Sequence, residues 1–200
     1  LLILGLLPGF VWLLFFIEED TDTEPKKEIL LAFAAGFVIT VVVLFFQQIF
    51  ADLLNLAKIA ESSIVSWFGL AAIEEFFKFA AAYIIVSKSK YFDLPIDAMI
   101  YMIVVALGFA TLENLFAISG QYNNTSFLSA AAETATLRFV GATLLHTLAS
   151  AIVGYHWSKG ILHGKLFKNI SIGLILATIL HTAFNCFISG ECTVYANPSP

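Results

Sequence analysis

Six long stretches of this chain carry almost no charge, and that limits the fold more than any motif does. They are Leu1–Ile17, Ile29–Phe50, Ile64–Val86, Ile96–Ser119, Thr134–Trp157 and Ile170–Ile188. Each is close to the roughly 20 apolar residues that cross a bilayer as a helix. Their mixture of Gly, Ala, Phe and Leu shows no two-residue alternation, which favours helices over a barrel. Composition agrees. Soluble domains are roughly 45–50% apolar and about 25% charged, whereas this chain is 60% hydrophobic and 12% charged, with a mean hydropathy of +0.90. The expected fold class is all-α: a polytopic integral membrane helical bundle of about six transmembrane helices. Its 200 residues should form a single transmembrane domain, with the lipid bilayer as solvent.

Leu1–Ile17 reads as a span rather than a cleaved signal. It has no basic start, and Glu18-Glu19-Asp20 is a poor match to a small-residue cleavage site. A net charge of −5 with ten Lys+Arg argues against nucleic-acid partners, which need a clustered basic face. Cys186 and Cys192 are too few for a disulfide framework or a four-thiolate metal site. In an oxidising compartment they could pair with each other. Asn123-Asn124-Thr125-Ser126 contains glycosylation-like triplets, a common pattern.

Loop charge sets the expected orientation. Lys26, Lys27, Lys88, Lys90, Lys159, Lys165 and Lys168 fall in loops on one side, and only Lys58 in a loop on the other. Cytoplasmic loops collect the basic residues, so this places both termini outside the cytoplasm. Trp67 and Trp157 sit near predicted span ends, where indoles favour the interface. Asp93, ahead of Leu94-Pro95, is expected to cap the fourth span.

The informative residues are those that break the hydropathy. The third span holds Glu74, Glu75 and Lys78, the fourth Glu113-Asn114, the fifth Arg138 and His146, and the sixth His181 and Asn185. A charge in mid-span costs about 2.5–3.5 kcal/mol on insertion scales, so such groups persist when they face one another or a wet cavity. Glu74 and Lys78 are spaced i,i+4 in the order that favours an ion pair. Glu74 and Glu75 point roughly 100° apart, so one can face a cavity while the other is paired. His181 and Asn185 share a face. At about 1.5 Å per residue, Glu75 and His146 lie roughly 16 and 18 Å from their outer span ends, and Glu113 and His181 roughly 9 and 10 Å from theirs. The site is therefore expected between spans three and six, in the central-to-outer membrane. Each residue also has a plain structural explanation, as an ion pair or an interhelical hydrogen bond, and for Arg138 that is the favoured one. His156 and His163 read as interfacial.

The sequence contains no His-Glu-x-x-His, no Gly-x-Ser-x-Gly, no phosphate loop and no dinucleotide fingerprint. Carboxylate, imidazole and amide remain. They suit water activation by a Glu base with His or Asn donors on an oxyanion. They equally suit a metal held by two His and a carboxylate with an open position for water. Proton or ion transport along the same groups is a third route.

In order along the chain, Glu74-Glu75-x-x-Lys78, Gly108-Phe109-Ala110-x-x-Glu113-Asn114, Arg138 followed by His146, and His181-x-x-x-Asn185 resemble the successive motifs of the PrsW family of intramembrane proteases. Asp20-x-x-x-Glu24-Pro25 and Asp97 are similar to the same pattern. The family is itself similar to the CAAX-processing and bacteriocin-related membrane proteases. Phe109-x-x-x-Glu113 stands where that wider group has Phe-x-x-x-His. The resemblance implies an endopeptidase cutting a membrane-anchored protein, in bacteria typically an anti-sigma factor, near the extracytoplasmic side. Under that reading Glu75, or Glu74 if the helix is rotated, activates water. His146 and Glu113 orient or ligate, and His181 with Asn185 holds the carbonyl oxygen. The metal version takes Glu75, His146 and His181 as ligands to Zn²⁺. The alternatives are a non-catalytic membrane scaffold subunit and a proton-coupled carrier.

Overall fold

The computed structural model describes residues 2–18, 24–121, 126–190 and 192, and the apolar stretches become seven helices. These are α1 (Leu2–Glu18), α2 (Lys26–Leu56), α3 (Ile64–Val86), α4 (Asp97–Ser119), α5 (Phe127–Val140), α6 (Ala142–His163) and α7 (Leu166–Ser189). Asp20, Asn123, Asn124 and Thr125 lie outside the described residues. α2, α4, the α5–α6 segment and α7 are long and apolar enough to cross a membrane. α3 has the length and is apolar apart from the three charged residues in its middle, Glu74, Glu75 and Lys78. The protein is a helical membrane bundle.

α4 is the axle. Residues 101–112 are buried all round, so the helix has no polar face to show. It packs against α1, α2, α3, α5 and α6. Two glycines let it meet α2 backbone to backbone. A Cβ on Gly36 would stand 1.9 Å from the Val105 carbonyl oxygen, and one on Gly108 would stand 2.0 Å from that of Phe33. Small residues at such crossings replace the hydrophobic drive that lipid does not supply. The crossing fixes the turn of α4 that carries Glu113 and Asn114. Gly108→Ala should destabilise the protein by about 1–3 kcal/mol or more, since a backbone carbonyl cannot step aside. Gly120→Ala, whose nearest neighbour would be 3.4 Å away, is the control. Unfolding midpoints in detergent measure the difference.

The expected fifth span, Thr134–Trp157, is two helices. The chain breaks at Gly141 (φ −100°, ψ −91°), where a Cβ would meet the Leu137 carbonyl oxygen at 2.7 Å. One glycine inside an apolar run leaves no trace in hydropathy. The break places His146 about 6 Å from the start of α6, where it meets Glu113 and packs against His181. α5 instead packs on α1, α4 and α6, with Trp12 Nε1 donating to the Phe139 carbonyl at 3.1 Å.

Two smaller expectations are also corrected. Trp157 is no interfacial indole but a core residue, 1% exposed, ringed by Phe79, Tyr83 and Phe92 at centroid distances of 5.4, 5.6 and 5.1 Å. The carboxylate at the start of α4 is Asp97, which accepts from the backbone N–H of Asp93 and Leu94 at 3.0 and 2.7 Å. At the C-terminal end of α7 a disulfide joins Cys186, in the helix's last turn, to Cys192 beyond it.

Candidate active site

The adjacent glutamates of α3 are divided between two partners. Glu75, fully buried, accepts from Lys78 Nζ at 2.6 Å and meets His181 Nδ1 at 2.8 Å, both through Oε1. The i,i+3 spacing thus takes the lysine, and the expected Glu74–Lys78 pair does not form. Glu74 turns toward α2, where Gln47 Nε2 donates to its Oε1 at 2.8 Å. Its other oxygen, Oε2, is buried with no hydrogen-bond partner.

That oxygen faces two imidazoles. His146 of α6 and His181 of α7 are 2% and 3% exposed, their rings 5.0 Å apart and nearly perpendicular. Each has one nitrogen tied to a carboxylate. His146 Nε2 meets Glu113 Oε2 at 2.7 Å, and His181 Nδ1 meets Glu75. The remaining nitrogens turn inward: His181 Nε2 is 3.6 Å and His146 Nδ1 4.0 Å from Glu74 Oε2. Lys78 Nζ also reaches His146 Nδ1, at 3.1 Å. The Phe109 ring closes one wall, 5.4 Å from the His146 ring and 5.1 Å from Lys78 Nζ.

A polar outer ring supports the cluster. Arg138, from the last turn of α5, donates to Glu113 Oε2 at 3.1 Å and to Asn114 Oδ1. Asn114 in turn donates to Thr143 Oγ1 at 3.1 Å. Five of the six residues singled out in the sequence thus converge: Glu74, Glu75, Glu113, His146 and His181. Asn185 is half-buried one turn beyond His181 and makes no side-chain hydrogen bond with the described residues. Gln47 is not among the residues singled out in the sequence, although an amide near the end of an apolar span is itself a signal.

The inner groups fit a metal. Glu74, His146 and His181 each offer one ligand atom, all within 4.8 Å of one another. Bonds of about 2.0–2.1 Å in a tetrahedral zinc site put ligand atoms roughly 3.3 Å apart, a little closer than the 3.6 and 4.0 Å seen here. The unpaired Oε2 is the kind of atom a cation satisfies. Each imidazole has the carboxylate partner that sets tautomer and ring orientation in metal-binding histidines. The cluster takes Glu74 where the sequence suggested Glu75: Glu74 Oε2 lies near both inward nitrogens, whereas Glu75 binds Lys78 and His181 through Oε1 and its buried Oε2 has no hydrogen-bond partner.

Carboxylates and imidazoles gathered inside a multi-pass helical bundle suit a membrane-embedded hydrolase, and comparison with known proteins gives the family. The family model of the PrsW family intramembrane metalloprotease matches residues 24–197, and the chain belongs to that family. It is similar to Protease PrsW of Oceanobacillus iheyensis, 27% identical over 187 residues covering 93% of this chain and 81% of that protein. The counterpart from Geobacillus kaustophilus is 31% identical over 156 residues, 78% of this chain and 64% of its own length. That of Bacillus subtilis is 26% identical over 189 residues, 92% and 81%. No solved structure matches the chain. The protein is an intramembrane protease, which sets aside the scaffold and carrier alternatives.

Proposed function

We propose that Glu74, His146 and His181 form the hydrolytic centre and hold a divalent metal, Zn²⁺ by the chemistry of the donor set, to cut a membrane-anchored protein near its extracytoplasmic side. One observation carries this reading. Two imidazoles from separate helices, each fixed by its own carboxylate, turn their remaining nitrogens toward Glu74 Oε2, a buried oxygen that lacks a hydrogen-bond partner. A bound divalent ion supplies Lewis acidity and a more acidic water. The chain's own residues do the rest. Glu113 and Glu75 hold the imidazole tautomers, Lys78 balances the charge of Glu75, and the free amide of Asn185 donates to the carbonyl oxygen of the substrate. A metal-free version, with Glu74 Oε2 as general base, is favoured by one contact: the Lys78 ammonium already lies against His146 Nδ1.

The substrate class rests on the family resemblance: a single-span membrane protein of the anti-sigma-factor kind. The side of the cut rests on the lysine bias, which places both termini outside. A disulfide beside the C-terminal end of α7 suits an oxidising exterior. In a background lacking Cys186 and Cys192, Gln121→Cys should react with an impermeant thiol reagent from outside, and Lys165→Cys only after the membrane is opened. The reverse pattern would put the cut on the cytoplasmic side. For the reaction, the test is cleavage of a single-span substrate by the reconstituted protein. His146→Ala and His181→Ala should each lower the rate by at least about 10²–10³-fold, the loss typical of one transition-state donor. Wild-type rates in both would sink the proposed centre.

A further inference from the structure

We infer that Gln47 of α2 is a positioning residue of the active site, reserving one oxygen of Glu74 for the reaction by occupying the other. This rests on Glu74 acting at the hydrolytic centre. Over residues 29–46 α2 is almost wholly apolar, and it carries two adjacent amides in its C-terminal half. Their contacts differ. Gln48 is exposed and pairs locally with Asp52 Oδ1 at 3.0 Å, one turn along the same helix. Gln47 is half-buried and reaches across to α3, donating to Glu74 Oε1 at 2.8 Å. Its second contact, the Leu70 carbonyl at 3.5 Å, is long and weak.

A carboxylate has two equivalent oxygens and turns freely between them. In a cluster holding Lys78, His146 and His181 there are several cationic or donor groups for either oxygen to choose. Gln47 breaks that symmetry. With Oε1 held by the amide, the carboxylate plane is fixed and Oε2 alone is presented to His181 Nε2 and His146 Nδ1. A neutral donor suits the task, because a lysine or arginine at position 47 would fix the plane and also neutralise the charge the site needs. Fixing the partners of a functional carboxylate is worth about 10–100-fold in metal affinity or activity.

Gln47→Met keeps the length and apolar bulk of the side chain but not the donor. Gln47→Asn keeps the donor and shortens its reach. Gln48→Met is the control, since that amide touches only Asp52. The measurements are kcat and KM on a single-span substrate, and Co²⁺ binding followed by its visible spectrum. The expected result is a fall of about 10–100-fold in kcat for both Gln47 variants, with KM, thermal midpoint and the Gln48→Met control unchanged. Weaker Co²⁺ binding alongside supports Glu74 as a ligand positioned by Gln47; unchanged binding supports Glu74 as a base positioned by it. Unchanged kcat and unchanged Co²⁺ binding in Gln47→Met, while Glu74→Gln is inactive, would overturn the inference and leave the centre standing. A rise in KM alone would overturn it too, marking Gln47 as a substrate contact. Full activity in Glu74→Gln would remove the centre and the inference together.

Discussion

Glu74→Gln and Glu75→Gln should fail in different ways. Gln at position 74 keeps the size of the side chain and can still accept from Gln47, so folding should be untouched. The lost anion is the oxygen facing His146 and His181, and the rate should fall by about 10²–10⁴-fold, the contribution of a general base or its equivalent. Gln at position 75 removes the carboxylate from a lysine that is itself fully buried. Breaking a buried pair from one side costs about 3–5 kcal/mol, because the surviving charge is stranded. This variant should therefore show a clearly lower unfolding midpoint as well as lower activity. Glu75→Gln combined with Lys78→Met removes both charges and should recover the midpoint without recovering turnover. Equal destabilisation in the two single variants, or near wild-type cleavage by Glu74→Gln, would contradict this division of labour.

That division could not be read from the sequence. Hydropathy exposes both glutamates as misfits in an apolar span, but two adjacent residues differ only in the direction they point, and direction depends on what each neighbouring helix offers. α2 offers Gln47 to one, and α7 offers His181 to the other. The same signal found Glu113, His146 and His181, because an ionisable group in a span is costly wherever it lies. It passed over Gln47, whose neutral amide costs less and sits beside a second glutamine that does nothing at the site. Hydropathy locates the apolar segments but does not register the break at Gly141: apolar residues flank it on both sides and only the backbone changes course. The burial of Trp157 escapes the sequence for a related reason. Its position near a span end says how deep it lies along the helix and nothing about which way it faces, and it faces Phe79, Tyr83 and Phe92.

A strong chelator should abolish cleavage by the reconstituted protein, and Zn²⁺ should restore it. The decisive complication is Lys78, whose ammonium stands 3.1 Å from the nitrogen of His146 that a metal would take. Two cations cannot share that nitrogen, so Lys78 must withdraw toward Glu75, 2.6 Å away, when a metal binds. A unit charge about 5 Å from a divalent ion opposes it by several kcal/mol even at an effective dielectric of about 20. Lys78→Met removes that opposition and leaves Glu75 as an uncompensated anion beside the site. It should consequently bind Co²⁺ or Zn²⁺ at least about tenfold more tightly than the wild type, a gain of about 1.4 kcal/mol. Its unfolding midpoint should be low without metal and rise on adding it, more steeply than the wild type's, since a ligand that binds only the folded state stabilises it by mass action. Cleavage that survives chelation, together with no metal binding by Lys78→Met, would make the lysine the resident cation of the cluster and Glu74 a metal-free base. Tighter binding in Lys78→Met would instead show that the lysine holds the place of an ion and yields it.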